Sequence, residues 1–207
     1  MGPGRDNPPS AGVAGRGSRT AMDFAQHSPH PSGRPRAEVS VRPAVPGDVP
    51  AYAALLAAYD GRPDGVHRDR LRTRLRAGVG AVLVAEVEGA FAGAGRVAWL
   101  EPEGDRPPPA GYYLVGLIVD PGRRRAGVGE ALTRARVAWA LERADAVWYF
   151  AKAANRASLD LHARLGFQEV TRDFEVAGVA FDGGEGVLAR ATAESVAAAQ
   201  AGGSDPT

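Results

Sequence analysis

Hydrophobic and polar positions alternate at Val39, Ser40, Val41 and Arg42, the period of a short strand that Pro43 ends. The period then lengthens. Tyr52, Leu55, Leu56 and Tyr59 recur at helical spacing behind Asp48, a candidate N-cap, and Pro50, which a first turn tolerates; Asp60 and Gly61 close that helix. Leu71 and Leu75 among arginines predict a second helix ended by Gly78. From Ala81 to Trp99 the pattern turns to strand, with Val82, Val84, Val87, Phe91 and Val97 split by Glu88 and Gly89 into a hairpin. After a Pro-rich loop from Glu101 to Gly111, the run Tyr112 to Val119 is almost wholly apolar, as expected of a central strand covered on both faces. Beyond Pro121 a Gly-rich turn opens a helix with a predicted buried stripe of Val128, Leu132, Ala135 and Trp139, and a strand at Val147 to Ala151 completes a βαβ unit. A short helix from Ala157 to Leu165 and strands near Phe167 to Val176 and Gly186 to Arg190 finish the order β-α-α-β-β-β-α-β-α-β-β.

This ordered region, residues 37–190, has the size of one domain. Residues 1–36 are rich in Gly, Pro, Ser and Arg without apolar periodicity and lack the apolar centre of a secretory signal, so a disordered leader is expected. Residues 191–207, Ala-rich and then Gly, Ser and Pro, are expected to form a flexible C-terminal tail, at most a frayed helix.

Composition narrows the function classes. With 25 basic and 24 acidic residues the net charge is +1, so no global field draws the chain to nucleic acid or an anionic membrane. Arg68, Arg70, Arg72, Arg74 and Arg76 are spread around their helix rather than gathered on one face. Cysteine is absent, which excludes disulfides, thiolate metal sites and a cysteine nucleophile, and His67 has no second histidine near it to make a metal site. No apolar run approaches the roughly 18 residues of a membrane span. The expectation is a cytoplasmic chain with no nucleic-acid, membrane or metal partner, and its oligomeric state is not legible.

The most informative stretch runs from Leu117 to Leu132, where a buried strand passes through a glycine-rich turn into a helix. Unpaired N–H groups and the positive dipole end of that helix favour an anion, Gly127 and Gly129 allow close approach of a pyrophosphate, and Arg123 to Arg125 add charge. It is neither a dinucleotide fingerprint, since Leu132 stands where glycine is needed, nor an NTP loop, since no Gly-Lys-Ser/Thr follows.

Here the sequence resembles the GNAT superfamily of acyl-CoA-dependent N-acetyltransferases. Arg124, Gly127 and Gly129 match its Arg/Gln-x-x-Gly-x-Gly/Ala signature, and Asn155-Arg-Ala-Ser158 through Leu165-Gly166-Phe167 is similar to its second block. Val41-Arg42-Pro43-Ala44 followed by Gly47-Asp48 looks like the family's first strand and helix, so the resemblance spans Val39 to Arg190. It implies an α/β fold with a mixed, mostly antiparallel, splayed β-sheet flanked by helices. It further implies acetyl-CoA as cosubstrate, with no metal, and direct attack by a primary amine on a thioester held between Tyr112 to Val119 and Val147 to Ala151. Backbone groups of Leu117, Ile118 and Val119 would line the pantetheine arm, and Arg125, Ala126, Gly127, Val128, Gly129 and Glu130, with Arg124, would cradle the pyrophosphate. Asn155 would hold the pantetheine side. Strand N–H groups freed by the splay can stabilise an oxyanion.

Departures from the family pattern carry information too. His162 stands where tyrosine often protonates the leaving thiolate; either it donates that proton, or it faces the sulfur without transferring one. Tyr112 and Tyr113 are reserve acids. No carboxylate occurs in Tyr112 to Val119, Phe150 sits where some members carry glutamate, and Glu101 and Glu103 are expected to be solvated loop acids, so no general base is assigned. Trp148, Tyr149 and Phe150 are expected in the core. The intact phosphate turn beside an atypical acid also fits a second function, a non-catalytic acyl-CoA sensor module, and the amine acceptor is not identified.

Overall fold

The computed structural model describes residues 38–176, 178–179, 181 and 185–202; the expected leader lies outside the described residues. Seven strands, β1 (Val39–Pro43), β2 (Ala81–Val87), β3 (Ala90–Leu100), β4 (Gly111–Val119), β5 (Ala146–Lys152), β6 (Gln168–Thr171) and β7 (Gly186–Thr192), form one sheet ordered β1-β2-β3-β4-β5-β7-β6. Every neighbouring pair is antiparallel except β4 and β5, which are parallel and joined by the crossover helix α3 (Val128–Leu141). This is the mixed, mostly antiparallel sheet expected.

Helices cover both faces. On one, α1 (Val49–Asp60) and α2 (Asp64–Ala77) bury Val49, Tyr52, Ala53 and Leu71 against Val84, Ala94 and Ile118. On the other, α3 packs Val128 and Leu132 on the β2–β3 hairpin and Val137 and Ala140 on Val97, Leu114, Val147 and Tyr149. The short helix α4 (Arg156–Arg164) closes this layer beside β5. His67, itself buried, ties α2 to the end of α1 through a 2.9 Å contact between its Nε2 and Asp60 Oδ1. Asp48 precedes α1, but its carboxylate does not cap the helix. It accepts from the Val45 N–H at 2.7 Å and pairs with Arg42, which also binds Glu86 at 2.6 Å. Among the described residues no helix is long and apolar enough to cross a membrane.

Three expectations change. First, α3 does not bury the stripe through Ala135 and Trp139, which are half-buried; it buries Thr133 and Arg136 instead, with Arg136 only 1% exposed. Gly95 of β3 is the reason, since a Cβ there would stand 2.9 Å from Arg136 Nε: the missing side chain leaves the space the guanidinium fills. Second, β6 stops at Thr171 rather than Val176. Third, β7 continues to Thr192 and a helix, α5 (Ala193–Gly202), occupies most of the region expected to be a flexible tail. Thr192 and Ser195 cap it reciprocally, each side-chain oxygen accepting from the other's N–H, at 3.2 and 3.0 Å. Its start lies so close to Gly166 that a Cβ there would meet Ser195 O at 2.6 Å.

Candidate active site between two parting strands

The ladder between β4 and β5 is short. Tyr112 pairs with Val147 and Tyr113 with Trp148; beyond these the strands part, while β5 stays paired to β7 as far as Lys152. On its other edge β4 carries a bulge, Gly116 and Leu117 standing opposite the single residue Gly95 of β3. Bulges bend a strand and re-aim its groups. Gly116 adopts φ 60°, a conformation natural to glycine, and is exposed in the middle of a central strand. The result is a wedge bordered by the backbone of Leu117, Ile118 and Val119. Ile118 turns its side chain to the α1–α2 core, and Leu117 and Val119 turn theirs toward α3.

At the mouth of the wedge β4 runs into the phosphate-type turn. Asp120 accepts from the Gly122 N–H at 2.7 Å, Arg125 and Gly127 take positive φ of 67° and 84°, and α3 starts at Val128. The N–H groups of this first turn have no intrahelical acceptor and stand at the positive end of a 14-residue helix. Arg124 and Arg125 are exposed, and their side chains have no hydrogen-bond or ion-pair partner among the described residues, whereas Arg123 reaches Glu88 at 3.7 Å. The Glu130 carboxylate pairs with Arg134 at 3.0 Å, so its backbone rather than its side chain suits an anion. A Cβ on Gly129 would meet nothing closer than Leu117 and Val119 at 3.9 Å. Ala126 is half-buried beside them. This set of donors, with two free guanidiniums, fits a pyrophosphate.

Across the wedge, Asn155 caps α4: its Oδ1 accepts from the Ser158 N–H at 3.3 Å, which leaves its amide NH2 to donate elsewhere. His162 is 3% exposed, stacked on Tyr149 and edge-on to Phe167. Its Nδ1 lies 2.7 Å from the Ser158 carbonyl oxygen, which only accepts, so Nδ1 carries the proton and Nε2 presents a bare lone pair. Nε2 is buried without a partner among the described residues. Burial, aided by repulsion from Arg136, pushes the His162 pKa down to about 3 against the bond to Ser158. In this geometry the imidazole is neutral and has no proton at Nε2 to deliver.

The reserve acids are no better placed. Tyr113 is fully buried and donates its hydroxyl to Pro109 O at 2.6 Å, and burial raises its pKa. Tyr112 is wedged edge-on between Trp99 and Trp139. Phe150 lies in an aromatic cluster with Tyr113, Phe174 and Phe181. Glu101 accepts from the Trp99 indole at 2.9 Å, while Glu103 lines a cleft of about 340 Å3 with Phe174 and Phe181. The described residues contain no group of three His, Asp or Glu side chains able to hold a metal ion. Sequence reasoning missed that Arg136 is buried under the sheet and that Arg96 crosses Gly116; the signal available was glycine at 95 and 116, where strands make room for long side chains.

Comparison with known proteins bears on the fold and the family. The acetyltransferase (GNAT) family model matches residues 50–167. No curated protein matches the sequence. Among solved structures, a ribosomal-protein-alanine N-acetyltransferase from Brucella melitensis is 23% identical, with 74% of this chain covering 99% of that one at a TM-score of 0.58. A putative acetyltransferase from Salmonella typhimurium, solved with acetyl-CoA, is 17% identical over 74% of this chain and 93% of its own, TM-score 0.56. A histone acetyltransferase HPA2-related protein from Corynebacterium glutamicum is 22% identical over 75% and 97%, TM-score 0.54. At these identities the structures show the shared fold, and the family model, matching more than half of the 207 residues, shows the membership: this chain belongs to the GNAT acetyltransferase family, whose acyl donor is acetyl-CoA.

Proposed function

We propose that the protein transfers the acetyl group of acetyl-CoA to a primary amine by direct attack. The observation that carries this reading is one continuous path, in which the free edge of β4 at Leu117 to Val119 leads from the bulge at Gly116 to the N-terminus of α3. Acetyl-CoA supplies a thioester, from which attack by the amine nitrogen yields an amide and a thiol, the amine proton ending on sulfur. The first-turn N–H groups of α3, with Arg124 and Arg125, bind the phosphates. Backbone groups of Leu117, Ile118 and Val119 and the Asn155 amide hold the pantetheine arm, and N–H groups on the β4 edge stabilise the developing oxyanion.

Of the two roles the sequence leaves open for His162, we assign the second: a neutral group packed on β5 that shapes the wedge and accepts a hydrogen bond through Nε2. Proton transfer to sulfur then passes through solvent, and the amine must arrive neutral because no carboxylate in β4 or β5 serves as base. We take the partners to be acetyl-CoA and an amine, in the cytoplasm, with no nucleic acid or membrane.

Calorimetry with acetyl-CoA and thiol-release assays across an amine panel test this reading. Binding with acceptor-dependent thiol release is expected. Tight binding with no turnover on any amine would replace it with the acyl-CoA sensor.

A further inference from the structure

Arg96 of β3 pairs with Val115 of β4, immediately before the bulge. Its neighbour Val97 packs with Val137 and Ala140 of α3, so strand alternation turns Arg96 to the opposite face, beneath α1 and α2. There the guanidinium crosses Gly116: a methyl group on that glycine would stand 3.3 Å from Arg96 Nε and 3.5 Å from Nη2. Arg96 and Arg74 of α2 line a cleft of about 230 Å3 walled by Leu75, Val82 and Ala98. Arg74 is itself solvent-exposed, and Arg96 and Arg70 both bear on its charge, so the three cations share one field.

Several other arginines are paired: Arg42 with Asp48 and Glu86, Arg68 with Asp64, Arg106 with Asp173 and Glu175, Arg172 with Glu169 and Glu185. The guanidiniums of Arg70, Arg74 and Arg96 have no hydrogen-bond or ion-pair partner among the described residues. Tyr52, 3% exposed, brings a hydroxyl that likewise has no hydrogen-bond partner there, within the influence of Arg96 and Arg74. Like charges that share one cleft are unfavourable until an anion joins them, and planar guanidiniums match carboxylate and phosphate oxygens in pairs. This anion is not the pyrophosphate. Gly116 lies four residues before Asp120, or about 13 Å along the strand from the turn that leads into α3.

We propose that Arg96 and Arg74 bind an anionic group on the acceptor, so that the substrate is an amine carrying a carboxylate or phosphonate-type oxyanion a few bonds from its nitrogen. The proposal rests on the acetyl-transfer reading, which puts the acyl group at the bulge beside Gly116. It separates free amino-acid-like acceptors from peptide N-termini, whose α-carboxyl is a neutral amide. The same cations disfavour an ammonium group beside them, which helps an amine arrive neutral at a site without a base.

The test pairs binding with turnover. In the presence of CoA, N-acetyl α-amino acids with small, aliphatic and aromatic side chains, their amides, and the matching N-acetyl aminophosphonates are titrated by calorimetry. The corresponding free amines are assayed with acetyl-CoA for thiol release. Acids, as carboxylates or phosphonates, should bind and react at least about tenfold better than the amides. Arg96→Gln and Arg74→Gln should each reduce that preference severalfold while leaving acetyl-CoA affinity within about twofold. No binding by any acid, equal binding of acids and amides, or a preference that survives both substitutions overturns the proposal. Arg96-dependent anion binding with no thiol release from any amine instead leaves the anion site standing and removes the acetyl-transfer reading.

Discussion

The rings of Tyr149 and His162 lie face to face, 3.5 Å between centroids and 7° from parallel, while the Tyr149 hydroxyl donates to Ser158 Oγ at 2.5 Å. Ser158 thus serves both rings, its hydroxyl taking the phenol proton and its carbonyl the imidazole Nδ1–H. A strand and a helix are locked together through one residue, which fixes the tautomer of a histidine that burial keeps neutral.

Acid should therefore weaken the fold through His162. Unfolded, an imidazole binds its proton near pH 6.5; folded, this one binds it only near pH 3. Between those values the unfolded chain holds more protons, so the contribution of His162 is intact above about pH 6.5 and is lost as the pH falls toward 3. His162→Phe removes the term. Thermal unfolding from pH 8 to pH 4 should show a smaller loss of Tm for this variant than for the parent, and equal losses would place the group in contact with solvent.

Gly129→Val should fold and yet bind acetyl-CoA poorly. The glycine lies in a helix, and a Cβ there makes only ordinary 3.9 Å contacts, so the fold accepts it, whereas a branched side chain fills the space before the first-turn N–H groups. Calorimetry should read a loss of more than about tenfold, near 1.4 kcal/mol. A loss below about threefold in a folded variant means that the phosphates bind elsewhere.

Gly116→Ala is expected to do two separable things. Its φ of 60° makes a side chain cost about 1 kcal/mol in stability. Its methyl would stand 3.3 Å from Arg96 Nε and push that guanidinium aside. Denaturant unfolding measures the first effect, and acceptor KM measures the second, with KM rising more than kcat falls.

Arg136→Met should not destabilise the protein. The guanidinium is 1% exposed, has no carboxylate partner, and rests on Leu132 O at 3.2 Å, Thr133 Oγ1 at 3.0 Å and Arg96 O at 3.5 Å. Burial holds its pKa at about 10, so it remains charged at neutral pH, and an apolar chain of similar length avoids that desolvation. A loss beyond about 1 kcal/mol on chemical denaturation would show that the three hydrogen bonds outweigh it.

Near pH 8 an α-amine should be a better acceptor than a lysine ε-amine. An unperturbed lysine at pKa about 10.4 is roughly 0.4% neutral at that pH, whereas the α-amine of a peptide, with no free carboxylate beside it, is at least about half neutral, so the matched pair is two peptides that differ only in which amine is free. With Phe150 buried among aromatics and no acid in β4, deprotonation is left to solvent. The comparison is kcat/KM for matched acceptors, and a higher value for the ε-amine without a depressed acceptor pKa in the rate profile would refute it.

Periodicity and two short blocks determined a great deal by themselves. The Glu88-Gly89 hairpin turn, the apolar run of β4, the glycine turn from Arg124 to Gly129 and the Asn155 to Phe167 block are each legible because the groups that define them are neighbours in the chain. What only tertiary structure decided involves distant partners. Arg136 is buried because Gly95, 41 residues away, lacks a side chain. The helix after Thr192 starts from a local cap, but it docks on the domain because Gly166, 29 residues before Ser195, lacks a side chain. His162 changes character from candidate acid to neutral acceptor through burial against Tyr149 and Phe167. Arg96 and Arg74 lie on separate elements and look like ordinary strand and helix residues until the bulge at Gly116 lets a guanidinium cross it. Side-chain type is local, but charge state and company depend on what the folded chain removes from water and brings within hydrogen-bond reach.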